Sequence, residues 1–413
     1  MRLAACLLIT SLLCAAPLAA WAHGGDPFTR DVLDTPDETL VLTNFGIVRA
    51  SDPTHYICEE AFQGSNDFRM QVFAPNQWVL ASRYGIAWTE DGCDFTRVVT
   101  LDQTPTSLSS HAESGRVVAT ANGPIAPGSL LYSDDFGRSF APIPPPGGDL
   151  ELTGSAFLSA DEVLVSAYDA RDAGAGSHWR VSVPSGRASE LPSPGDYTHV
   201  LDVRDGVVAG VAADTAAFYV FVGPLEGPFA RHEVPSWPKT VRFGGDGALW
   251  VATSSLDVGA LERGVPDGEG GYTWEVAHDG HSTRCMGFTG EDVLLCARRQ
   301  VEGHDLTRLT ASGPSAELEL SGLVGPLDTC PAGSDVSTAC PLVWPDLDRV
   351  FRPELYEPGP QDPGPSPAEP GCASAPARAP SPWLALALAA YALRTRGCSS
   401  TSRRTRAGRR SRR

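Results

Sequence analysis

The stretch Ser133-Asp134-Asp135-Phe136-Gly137-Arg138-Ser139-Phe140, entered from Leu130-Leu131-Tyr132, decides the fold. An apolar strand runs into a short polar turn and leaves it through an aromatic residue. The Asp135 carboxylate is placed to accept hydrogen bonds from its own turn backbone. Gly137 supplies a position that takes a positive φ without a Cβ penalty. Phe140 opens the returning strand and can fold back over the turn. With Phe140 as a marker, imperfect copies recur along the chain. Residues 49–56 place Tyr56 there, residues 88–95 keep Gly92 and Phe95 with Glu90 for the aspartate, and residues 172–179 keep Gly176 and Trp179. Residues 267–274 keep Glu269, Gly271, Thr273 and Trp274, while Phe229 after Gly227 and Leu306 after Gly303 are weaker copies.

The seven markers, at 56, 95, 140, 179, 229, 274 and 306, are separated by 32 to 50 residues. Four strands of about five residues with their turns fill such a period. Between the markers lie short apolar runs rich in β-branched and small residues: Arg116–Ala121, Glu162–Ala167, Gly206–Ala212, Leu249–Thr253 and Asp292–Ala297. Such runs suit a pleated, buried surface. No amphipathic segment of ten residues with a 3.6-residue period is read between 40 and 350. The pattern predicts an all-β fold, a β-propeller of about seven four-stranded blades over residues 39–353, with 23–38 as a surface arm. An open ring would expose a strand edge, so Leu40–Val48 is expected to complete the final blade. Residues 121–129, 170–178 and 255–273 read as long insertions that shape the ring faces.

The order Ser-x-Asp-x-Gly-x-Ser-Phe at 133–140 resembles the Asp-box of BNR, sortilin-like, sialidase-like and photosystem-assembly-factor-like propellers. That resemblance implies structural roles at the blade periphery for Ser133, Asp135, Gly137 and Phe140, and for their counterparts Gly92, Phe95, Gly271 and Trp274. It implies two functions. Exo-sialidases need an arginine cluster, a Tyr–Glu nucleophile pair and an acid carboxylate. Asn66-Asp67-Phe68-Arg69 contains Phe-Arg without the Ile-Pro of that family's first arginine motif, and Tyr84 and Tyr132 have no sequence-level partner. The other relatives bind polypeptides on loops at the ring faces and channel mouth.

The ends of the chain are distinctive. Arg2, the apolar run Leu3–Ala20 and Ala20-Trp21-Ala22 have the layout of a secretory signal over 1–22. A lipoprotein reading at Cys14 lacks the usual leucine three residues earlier. Residues 354–382 form a Pro-rich stalk containing Gly371-Cys372, followed by a short apolar helix at 383–393 and an Arg-rich tail at 394–413. This tail resembles the MYXO-CTERM sorting signal, which implies removal of the tail and anchoring through Cys372. A disordered basic tail is the alternative, and it would not need the apolar run. Both ends predict an exported protein at the surface of a Gram-negative cell, associated with the outer membrane. Its only membrane contact is then the sorting signal or its anchor.

Between residues 23 and 371 the chain carries all 50 of its acidic residues and 21 of its 32 basic ones, a net charge of about −29. Lys239 is the sole lysine. Such a surface repels nucleic acid and anionic lipid. Six cysteines remain outside the leader, stalk and tail: Cys58, Cys93, Cys285, Cys296, Cys330 and Cys340. An even number in an exported chain predicts disulfides. Proximity in sequence favours Cys285–Cys296 and Cys330–Cys340, leaving Cys58–Cys93, among the 15 pairings six cysteines allow.

Motifs for chemistry are sparse. HExxH, G-x-S-x-G, a Walker loop and a dinucleotide fingerprint are all missing from the sequence. His278 and His281, joined by Asp279-Gly280, read as a solvated hairpin before they read as a metal pair. His23 at a mature N-terminus offers an amine and an imidazole to copper, as any such terminus does. No cofactor, catalytic residue or metal ligand is assigned. The reading is a non-catalytic binding or scaffold protein whose partner is an envelope protein or glycan. The alternative is a sialidase-like glycoside hydrolase, marked by three arginines and a Tyr–Glu pair around the channel.

Overall fold

The computed structural model describes residues 27–355, apart from 36, 51–52, 66, 102, 124–127, 170–175, 215–216, 255–258, 280–282 and 298–301. The expected leader, His23, His281, the stalk with Gly371-Cys372, the apolar run and the Arg-rich tail lie outside the described residues.

Seven antiparallel sheets follow one another in sequence: blade 1 at residues 29–58, blade 2 at 68–100, blade 3 at 104–143, blade 4 at 151–191, blade 5 at 197–234, blade 6 at 238–279 and blade 7 at 286–318. Each has four consecutive strands, and blade 1 gains a fifth. The first strand of each blade is the innermost, and neighbouring blades meet through these strands. The protein is a seven-bladed, all-β propeller. The apolar runs seen in the sequence are the second strands of blades 3 to 7: Arg116–Asn122, Glu162–Tyr168, Val207–Ala213, Leu249–Ser254 and Asp292–Cys296. Those of blades 3 to 5 and 7 are buried almost throughout. Blades on either side cover both faces of such a strand, so a continuous apolar run replaces alternation. The core is accordingly divided among the gaps between blades, as with Val118, Leu152 and Val165 between blades 3 and 4.

Four features differ from the sequence reading. The surface arm expected over 23–38 is corrected over its described residues, because Thr29–Asp34 is the innermost strand of blade 1. Leu40–Val48 does not complete the last blade, because Thr39–Thr43 and Gly46–Arg49 are the second and third strands of blade 1. Two of the supposed insertions hold third strands, Gly176–Ser182 of blade 4 and Gly259–Pro266 of blade 6. The fourth difference is a helix, α1, at Asp335–Phe351. Pro341 and Pro345 lie inside it and disguise its period. Its buried residues Val336, Cys340, Leu347 and Phe351 nevertheless share one face. Ser334 caps it, accepting a hydrogen bond from the Ser337 N–H.

The ring is closed by a clasp on the outside of blades 1 and 2. Gly325–Pro326 pairs in parallel with His55–Cys58, the outer strand of blade 1. Helix α1 then packs across that edge. The Tyr56 hydroxyl donates to the Cys340 carbonyl at 3.2 Å, and the Tyr56 ring lies 5.3 Å from Trp344. The disulfides follow this geometry and correct two of the expected pairings. Cys58 bonds to Cys340 and Cys93 to Cys330, while Cys285–Cys296 is paired as expected. Sequence proximity failed for four cysteines because their role is to tie one end of the chain to the other.

His178, on Gly176–Ser182, is 1% exposed and packs against Phe221 of blade 5. Burial lowers its pKa from 6.5 to about 4. The unfolded chain therefore binds the extra proton first as pH falls. His178 supports the fold fully above pH 6.5, and that support, about 3 kcal/mol, is lost as pH falls toward 4. Glu59 has the opposite sign. Burial, with Glu60 beside it, raises its carboxyl to about 7, so its contribution is full below 4.5 and fades as pH rises through 7. Comparison with a His178→Leu variant isolates the histidine. Its melting temperature should gain on the wild type as pH drops from 6.5 to 4.5, and parallel curves would refute this.

Candidate functional site

The Asp-box turn has the geometry its residues dictate. Asp135 accepts from the Ser133 hydroxyl at 2.7 Å, the Ser139 N–H at 2.9 Å and the Ser139 hydroxyl at 2.6 Å. Burial alone would raise its pKa, but these bonds hold it below the usual carboxylate range. Gly137 sits at φ +82°, and a Cβ there would lie 2.2 Å from Val79 of blade 2. Phe140 is partly buried in the core between blades 2 and 3.

The copies use a different register from the one expected. In blade 2 Asp91, not Glu90, accepts from the Thr89 hydroxyl and from the N–H groups of Cys93 and Asp94. In blade 6 Asp267, not Glu269, accepts from the N–H groups of Glu269 and Gly271. Gly92 has φ +71°, Phe95 packs 5.6 Å from Phe62, and Trp274 stacks at 4.0 Å on His232. Phe95, Phe140 and Phe229 precede fourth strands and Tyr56 and Trp274 lie within them, whereas Trp179 and Leu306 lie on third strands. These residues are framework, and none of them lines the central channel.

That channel is a cavity of about 930 Å³ lined by residues of blades 1 to 6 and of the segment leading into blade 7. Its charge is opposite to that of the body. Arg30, Arg69, Lys239, Arg242 and Arg284 line it, against only two carboxylates, Asp31 and Asp67. Arg242 of blade 6 reaches Asp31 of blade 1, its Nη2 donating to both carboxylate oxygens at 3.0 and 3.2 Å. The inner strand of blade 7, Met286–Thr289, has only four residues, and the pair joins the blades on either side of it. Asp67 is shared by Arg30 at 3.1 Å and Arg69 at 3.2 Å. The Phe28 ring carries the guanidinium groups of Arg284 and Arg30, 4.6 and 5.1 Å from its centroid. Burial lowers the Arg30 pKa, with Asp67 opposing the shift. Lys239 is exposed to the lumen.

The opposite wall is neutral. Thr106, Ser107 and Ser155 lie there, with Ser107 bonded to Ser155 at 2.7 Å and to Thr120 at 2.6 Å. His199 of blade 5 also lines the lumen. Burial, helped by the charge of Arg69, lowers its pKa to about 4, so it is a neutral donor and acceptor at pH 7. Tyr84 is 47% exposed and Tyr132 is 4% exposed, and neither lines the channel. No tyrosine and no glutamate is among the described residues that do. No group of three or more His, Cys, Asp or Glu that could hold a metal occurs among the described residues.

The sequence reading missed this site. Arg69 stands there only within an incomplete arginine motif, and Arg242 is not singled out. The available signal was Lys239, the sole lysine, two positions before the inner-strand run Val241-Arg242-Phe243.

The fold and site together define a propeller with a basic lumen in an acidic body. No family model and no curated protein matches the chain. Among solved structures it is similar to YCF48 bound to D1 peptide, at 16% identity over 58% of this chain and 76% of that one, TM-score 0.42. YCF48 from Cyanidioschyzon merolae is 13% identical over 59% and 80%, TM-score 0.43. TolB from Acinetobacter baumannii is 14% identical over 63% of this chain and 66% of that one, TM-score 0.41. The assignment to propellers rests on the seven sheets themselves.

Proposed function

We propose that this is a non-catalytic binding protein of the cell envelope whose ligand site is the central channel. One observation carries the reading. The acidic segment has 21 basic residues and 50 acidic ones, yet the channel collects five of the former and two of the latter. Like charges drawn to one concave site repel each other, so their concentration is more readily explained by a ligand than by folding. The test is capture from an envelope extract by the tail-less domain. A Lys239→Glu variant should lose the partner retained by the wild type while melting at the same temperature. Equal capture would remove the channel from the account.

The hydrolase reading has one observation in its favour, the four channel arginines. A Tyr–Glu pair among the lining residues would strengthen it, and none lines the described channel. Turnover of a chromogenic sialoside that Arg69→Met abolishes would replace the binding reading.

Display at the cell surface is supported by the leader-like start, the Pro-rich stalk and the Arg-rich tail. Cys372→Ala should move the protein from the envelope fraction to the medium. Unchanged fractionation would rule out anchoring through that cysteine.

A further inference from the structure

The chemistry of the lumen narrows the class of ligand. We infer that the channel binds a ligand bearing two or more carboxylates, an inference that rests on the channel being the binding site. Three arguments lead there. Arg284 aside, four cations face two resident carboxylates, an excess of two, so the lumen has positive charge for more than one anionic group. The resident carboxylates already show what fits. Asp31 takes one guanidinium nitrogen of Arg242, Nη2, between both its oxygens, and Asp67 takes two guanidinium groups at once. Each is a charge-assisted contact of a guanidinium N–H with a carboxylate oxygen, a pairing that arginine makes well. The third argument is size. A volume of about 930 Å³ lies near the upper end of the ~300–1,000 Å³ range of ligand pockets. It admits a free polycarboxylate or a short acidic stretch of polypeptide.

The arrangement also assigns roles. Lys239 has no ion pair among the described residues and stands ready as a point charge for an incoming group. Arg242 is held by Asp31, so a ligand carboxylate competes with that resident for the same guanidinium. Asp31→Asn therefore should strengthen binding, whereas Lys239→Met should weaken it. A merely structural role for Asp31 would not produce that gain. The neutral wall of Ser107, Ser155 and His199 leaves the cations as the dominant recognition element at pH 7.

Calorimetric titration of the intact protein tests this with two probes, citrate for a free polycarboxylate and N-acetyl-tetraglutamate for a polypeptide source. At least one should bind saturably at low salt, with affinity falling as salt is raised. The probe that binds more tightly identifies the source. Lys239→Met should lower that affinity about tenfold, Lys239→Arg should retain it, and Asp31→Asn should raise it severalfold. The Lys239 side chain has no ion pair or hydrogen bond among the described residues that its loss would break, so that variant stays informative if Asp31→Asn fails to fold. Absence of saturable binding by both probes, tighter binding of inorganic phosphate, or affinities untouched by Lys239→Met would overturn the inference. If both probes fail while Lys239→Glu still abolishes capture from the envelope extract, the carboxylate assignment falls and the channel reading stands.

Discussion

Replacing Cys58 and Cys340 by alanine should lower the stability of the oxidised protein by about 4 kcal/mol, and removing Cys93–Cys330 as well should leave it barely folded. The reason is the length of chain these bridges close. Cys58–Cys340 spans 282 residues and Cys93–Cys330 spans 237. Loop-closure entropy grows with the logarithm of length, reaching about 5 kcal/mol for loops beyond a hundred residues. With Cys93–Cys330 intact, Cys58–Cys340 closes a remaining ring of about 45 residues, which gives the smaller figure. Losing both approaches the entire stability of an ordinary domain, about 5–15 kcal/mol. Cys285–Cys296 spans only 11 residues and should contribute about 3 kcal/mol. Urea unfolding of the three paired variants measures the order. A non-reduced digest should join the Cys58 and Cys340 peptides. A smaller loss for Cys58–Cys340 than for Cys285–Cys296, or a Cys330–Cys340 peptide, would contradict a ring closed by its C-terminal clasp.

Gly46→Ala should cost about 3 kcal/mol or more. Gly46 follows the turn Thr43-Asn44-Phe45 at φ +147°, a region open in practice only to glycine, and a Cβ there would lie 2.1 Å from the Ile57 carbonyl oxygen. Backbone, not a pliable side chain, stands in the way. The same device recurs in blade 2, where Gly85 follows Ser82-Arg83-Tyr84 at φ +144° with Val99 O at 2.0 Å. Thr43 and Ser82 hydroxyls donate to the carbonyls of Gly46 and Gly85. Gly206→Ala is the control. It has a positive φ of +76° but nothing within 4 Å, so its loss should be about 1 kcal/mol. Thermal unfolding of the two variants side by side reads the difference. Equal losses would mean that blade 1 yields at this turn.

The contrast between these two glycines shows where the sequence was legible. Local devices were. The turn at 133–140, its recurrence and the buried second strands can all be read from residues within one blade, and they led to seven blades. Some turns were read one or two positions out, because Asp91 and Asp267 act where Glu90 and Glu269 were expected. Long-range devices were not legible. Thr29–Asp34 has an ordinary polar composition, and only its place at the lumen makes it a strand of the ring. Helix α1 hides behind Pro341 and Pro345. The clasp cysteines pair across more than two hundred residues. The channel cations come from blades 1, 2 and 6 and from the segment before blade 7, and no motif of adjacent residues announces them. A propeller assembles its lumen from positions spread along the whole chain, so the site becomes visible only once the ring is closed.

That closure is what places Arg30, Asp31 and Phe28 against Arg242 and Arg284. The clasp and the channel are therefore linked, since opening the seam at blade 1 would part Arg30 and Arg69 from Lys239, Arg242 and Arg284. The most direct measurement uses the single lysine. An amine-reactive label, in large excess over all amines present, modifies Lys239 at a rate that peptide mapping by mass spectrometry can follow. With a native envelope extract present, and a heat-denatured extract as control, a ligand seated in the channel should slow that rate severalfold. An unchanged rate of Lys239 labelling, under conditions where the domain captures its partner, would show that the partner binds elsewhere.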